Sequence, residues 1–204
     1  NRFIHLNVEY NNDDWLRWAI TEKADGGGDM HPSIIGFMRF SPMALNEFVQ
    51  QNNSAAEKGR VAALRTRNVF ATPRSWEFCD RLVRAGMPKE VQAELINSTV
   101  GEVYGVQYSA FLKVYENLPD LDQVLLDPEK AKVPTDKATL FALSAGLASR
   151  ITENNVDAAI KYIKRIEARE FQAMCLKDAA VRNQKVSVTR SFMGWMLDNK
   201  DIMM

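Results

Sequence analysis

One short run constrains this chain more than any other. Ile4, Leu6 and Val8 alternate with His5, Asn7 and Glu9, the period-two pattern of a strand with one buried face. Almost every later segment carries helical spacing. A lone strand leaves its backbone donors and acceptors unpaired, and even an isolated hairpin is marginal in water. Two partners are open to it: the short stretch Val186-Ser187-Val188, or a sheet supplied by residues upstream of Asn1. The second is favoured, because the chain opens on Asn1 rather than Met and reads as part of a longer protein. The expected class is all-α, with one remnant strand at residues 1–10.

A chain of 204 residues makes one large domain or two small ones and buries roughly 70% of its unfolded surface. At 46% hydrophobic and 25% charged residues it sits near the globular average. That excludes a disordered tail, a collagen-like repeat and a disulfide scaffold. Lys plus Arg equals Asp plus Glu, 26 of each. With no net charge there is no bulk field to gather nucleic acid or an anionic membrane. Cys79 and Cys175 lie far apart and read as reduced thiols of a cytoplasmic protein. Neither they nor His5 and His31 show the close pairing of metal ligands. No apolar run approaches the length of a membrane span, and no signal pattern opens the chain.

The helical spacing divides the rest. Asn12-Asp13-Asp14 offers N-caps for a helix from Trp15 to Lys23, with Trp15, Trp18 and Ala19 on one face; a Gly-rich loop, 24–29, follows. Helices are expected over 34–40 and 42–48. Residues 50–67 read as a solvated loop, although Arg60, Arg65 and Arg67 could meet a phosphate or a neighbouring subunit. Thr72 suits an N-cap, Pro73 the first helical position and Gly86 a left-handed C-terminus, which sets a helix over 73–85. Further helices are expected over 88–97 and 101–117, the latter apolar nearly all round and so buried on most sides. The charged stretch 127–135 reads as a connector. Beyond it come helices over 136–151, 156–167, 170–182 and 189–199. The expected units are residues 1–10, 11–117 and 118–204.

No Gly-rich phosphate loop, nucleophile elbow or metal-ligand pair occurs in the sequence. The lead is Arg74, in the first turn of its helix, where the macrodipole is positive and a cation is misplaced unless an anion faces it. One anion is Glu77, a turn on, at ion-pair spacing; position alone favours it. The other is a phosphate, held by the guanidinium and the free N–H groups of the helix start. Arg2, before Phe3, is by itself merely a strand-end arginine.

The order of segments adds a second line. Asn1-Arg2-Phe3 enters the strand, then comes His31-Pro32-Ser33-Ile34-Ile35-Gly36-Phe37-Met38-Arg39-Phe40, then Ala71-Thr72-Pro73-Arg74-Ser75-Trp76-Glu77. This order resembles the C-terminal part of MoxR-like (dynein-related) AAA+ ATPases of bacteria and phages. The resemblance implies the end of a nucleotide-binding core, a helical lid to about Asn117, and a helical extension from Leu118. It implies that Arg74 is the sensor contacting the γ-phosphate of ATP and Arg2 an arginine finger reaching the adjacent subunit's nucleotide. ATP and Mg²⁺ would be held by an upstream core, within a homo-oligomeric ring that remodels a protein client. The phosphate loop and the Mg²⁺-holding acidic pair are absent from this sequence, so it would not hydrolyse ATP alone. The competing reading is a free-standing all-α interaction module with a groove lined by Trp195, Met196, Met203 and Met204.

Overall fold

The computed structural model describes residues 11–21, 28–47 and 68–203. Among them the fold is all-α, with no strand. The expected strand at residues 1–10 lies outside the described residues. Its alternative partner is removed: Gln184–Ser187 is a short helix with Val186 buried inside it.

Helix α1 (Asn12–Ile20) starts three residues earlier than its Trp pattern suggests, because Asn11 is the cap and accepts from the Asp13 N–H at 2.8 Å. Leu16, Ala19 and Ile20 form its buried face, while Trp15 and Trp18 are half-buried with ring centroids 6.0 Å apart. Helix α2 (Pro32–Phe40) carries Ile34, Ile35, Phe37 and Met38 into the core, and a 3-10 turn follows at Pro42–Leu45. Helix α3 (Pro73–Ala85) ends at Gly86 with φ 75°, the left-handed stop its sequence called for.

Helices α4 (Gln92–Val100) and α5 (Glu102–Glu116) share the single hinge residue Gly101, φ 83°. They cross closely at Gly105, where a Cβ would come within 2.9 Å of the Asn97 Cα. The expectation that α5 is buried on most sides is corrected. It buries Gly105, Tyr108, Phe111 and Leu112, while Val103 and Val106 are 45% and 57% exposed. The aromatic stripe took the core face, and two small valines cost little at a surface.

The second half begins with α6 (Leu121–Leu126), continues with α7 (Lys137–Ala148), α8 (Val156–Ile163) and α9 (Arg169–Arg182), and closes with α10 (Gln184–Ser187), α11 (Arg190–Asp198) and α12 (Lys200–Met203). Two apolar cores exist, and α7 serves both. Its Leu140, Leu143 and Leu147 join one, Ala142 and Ala145 the other. Gly36 lets α2 close on α7: a Cβ there would sit 3.1 Å from the Phe141 carbonyl and 3.3 Å from the Ala145 Cβ. The 127–135 connector is strapped down. Arg165 Nη1 donates to the Pro128 and Ala131 carbonyls at 2.6 and 2.7 Å, and the Tyr162 hydroxyl donates to Lys132.

Cys79 and Cys175 are free and fully buried, and burial pushes the Cys79 thiol up to about 12. Among the described residues no helix is long and apolar enough to cross a membrane.

Candidate functional site

The turn that opens α3 is fixed from both sides. Thr72 Oγ1 accepts from the Ser75 N–H at 3.1 Å, and Ser75 Oγ accepts from the Thr72 N–H at 2.8 Å. This reciprocal box satisfies two of the donors a helix start leaves free, and Pro73 has none to offer. Only the Arg74 N–H lacks a hydrogen bond in that turn among the described residues. The expected row of free N–H groups is therefore reduced to one, because the cap takes the rest.

Below the turn, Trp76 is fully buried. Its indole Nε1 donates to the Ala44 carbonyl at 2.8 Å, and its rings pack 5.6 Å from Phe37 and 5.3 Å from Tyr108. On the other side the Ala71 N–H donates to Glu47 Oε2 at 2.9 Å, and the Glu47 N–H donates back to the Ala71 carbonyl at 3.0 Å. The His31–Phe40 and Ala71–Glu77 segments are thus packed on each other through Phe37 and Trp76.

Arg74 projects from this rigid turn into solvent. The expected ion pair with Glu77 does not form: among the described residues no carboxylate lies within 4 Å of the Arg74 guanidinium. An exposed pair at this spacing contributes only a few tenths of a kcal/mol, roughly what fixing two long side chains costs. Arg2, Arg60, Arg65 and Arg67 lie outside the described residues.

A polar cleft of about 530 Å³, missed by the sequence analysis, lies between the start of α2, the end of α5 and the α6 turn. His31, Tyr115, Glu116, Asp122 and Arg150 line it. Arg150 Nε donates to Asp122 at 3.1 Å, and Lys89 pairs with Glu116. His31 caps α2, its Nδ1 accepting from the Ser33 N–H at 3.3 Å, so the neutral ring carries its proton on Nε2. Ser33 Oγ lies 2.7 Å from that nitrogen and 2.7 Å from the Tyr108 hydroxyl, extending the chain into the core. The signal for it was a His directly before Pro32, in the place of a cap.

Burial, reinforced by Arg84 and Arg150 and opposed by Asp80 and Glu116, holds His31 below the ordinary histidine value. The unfolded chain therefore binds a proton that the folded chain refuses. Stability from this group is complete above the unfolded value near 6.5 and is lost as pH falls through the lowered folded value. His31→Asn, which can still cap α2, should flatten that acid-side slope in urea titrations at about pH 5 to 7. An unchanged slope assigns it to other groups.

No protein-family model, curated protein or solved structure matches this chain.

Proposed function

We propose that this chain supplies the helical lid and C-terminal extension of a MoxR-like AAA+ ATPase, coupling ATP hydrolysis within a ring to remodelling of a protein client. In this reading Arg74 meets the γ-phosphate and reports its presence to the lid. Arg2 acts as the finger that completes a neighbouring subunit's site. The supporting observation is the state of Arg74: an exposed guanidinium at a helix start, on a turn locked by the Thr72–Ser75 box and Trp76, with no carboxylate partner among the described residues.

The chemistry asks for such a group. Phosphoryl transfer to water is accelerated by positioning and by cations facing the developing charge. Arginine stays charged and offers a planar fork that matches phosphate oxygens. Rigidity matters too, because a cation held in place needs no reorganisation when charge develops. ATP and Mg²⁺ would be held by an upstream core, since this sequence lacks the lysine-bearing phosphate loop. Movement of α3 relative to that core would turn nucleotide state into motion.

The test has two arms. The reading frame upstream of Asn1 should encode Gly-x-x-x-x-Gly-Lys-Ser/Thr. In the protein carrying that core, Arg74→Ala should lower ATP turnover by about 10²- to 10³-fold, and Arg74→Lys should restore only part of it. Arg74 is exposed, so its melting temperature should stay unchanged. A frame without the phosphate loop, or wild-type turnover in Arg74→Ala, overturns the reading.

A further inference from the structure

Helix α11 has an uncovered face among the described residues. Phe192 and Trp195 hold it to the core, Trp195 being 2% exposed. Trp195 also lines the groove between α8 and α11. Met193 and Leu197 instead stand 44% and 59% exposed on the opposite side. Between them lies Gly194, where a Cβ would meet nothing within 4 Å. A glycine inside a helix costs about 1 kcal/mol relative to alanine. No described neighbour needs the space it leaves.

The charges about Gly194 are arranged in opposition. Arg190 lies four residues before it and Asp198 four residues after it, and both are exposed. Among the described residues neither has an oppositely charged group within 4 Å. Beside Gly194 runs a groove of about 380 Å³ between α8 and α11, bordered by Asp157, Lys161, Lys164 and Asp198. That border also carries both signs in equal number. Opposite charges placed equally far before and after one residue, as Arg190 and Asp198 are about Gly194, complement themselves under a twofold, in which each meets the other's mate.

We propose that the α11 face docks a second copy of this chain, with α11 antiparallel to its symmetry mate and the twofold axis at Gly194. Two antiparallel helices crossing at one residue place positions equally far before and after it opposite each other. Arg190 of each copy then faces Asp198 of the other, Leu197 comes opposite Ser191, and Gly194 lets the two backbones approach. The contact joins extensions, not nucleotide sites, so it goes beyond the ATPase reading.

Sedimentation equilibrium of the 204-residue chain without nucleotide should give a dimer at about micromolar concentration. Gly194→Leu projects into open space, so it should fold normally, seen by circular dichroism, and sediment as a monomer. Arg190→Asp alone and Asp198→Arg alone should each weaken dimerisation roughly a hundredfold, because the twofold doubles every repulsion. The double exchange should restore it. A monomeric wild type, a dimer indifferent to Gly194→Leu, or a double exchange that stays monomeric overturns the proposal. No nucleotide enters the assay and Arg74 lies on another helix, so failure here leaves the ATPase reading standing.

Discussion

Replacing Arg39 by leucine should destabilise the fold by about 3–5 kcal/mol at neutral pH. Arg39 Nη2 donates to Asp178 Oδ1 at 2.7 Å, tying α2 to α9. The Asp178 side chain is 6% exposed. Burial raises its pKa, against the pull of Arg39 and, more weakly, Arg182. The folded state thus already resists ionising this carboxylate, and the guanidinium is its principal compensation. Without Arg39 the buried charge keeps only the weaker pull of Arg182, and a buried charge stripped of its partner costs more than an intact pair contributes. The sign with pH follows. A folded pKa above the unfolded one means that the native state keeps its proton longer, so this group's contribution falls as pH rises through the raised value. Losing Arg39 moves that value further up, so the penalty should be largest at neutral pH and shrink toward pH 4. Arg39→Leu with Asp178→Leu should recover most of the loss, since a buried pair replaced by apolar groups is often neutral. Equal losses at pH 4 and pH 7 in denaturant titrations would show that Asp178 is not the cause.

What the sequence disclosed and what it withheld divide along the range of the interactions. Helix α3 was legible at both ends, because Thr72, Pro73 and Gly86 act on their own backbone within a few residues. The face of α7 was legible from Leu140, Leu143 and Leu147, but its second role was not. Ala142 and Ala145 look neutral until Gly36 brings α2 against them. Helices α6, α10 and α12, of four to six residues, are too short for a 3.6-residue period to show. The outward valines of α5 were misread because burial belongs to the neighbours a helix meets, not to its own composition. The same holds for the polar groups. Asp178 lies 139 residues from Arg39, and Ser33 lies 75 from Tyr108, so neither pairing has a local signature. Arg74 stands between the two cases. Its place in the first turn could be read from three letters, whereas the missing Glu77 pair is decided by where two exposed side chains lie, which no local pattern fixes.

Trp76→Ala should cost about 3–5 kcal/mol, the ordinary price of emptying a buried indole site. Three losses add here. The side chain is fully buried, so the cavity is enclosed by Phe37, Tyr108 and the 3-10 turn. The Ala44 carbonyl loses its indole donor, and an unmet buried acceptor costs about 1–3 kcal/mol if no water reaches it. The contact between the α2 segment and the α3 turn loses its central ring. In a chain of this size that should lower the melting temperature by roughly 10 °C. Trp76→Phe fills most of the volume and should lose about half as much, the remainder being the hydrogen bond and the second ring. The pair of substitutions also separates support from chemistry at the candidate site. Trp76 never reaches the surface, yet it sets the position of the turn from which Arg74 projects two residues earlier. If Arg74 acts as proposed, Trp76→Phe in a chain carrying the upstream core should therefore lower turnover in proportion to the slack it gives that turn, and Arg74→Ala should lower it with stability unchanged. If Trp76→Ala melts like the wild type, the turn is held by its capping box and the Glu47–Ala71 hydrogen bonds alone, and the rigidity invoked for Arg74 must be assigned to them.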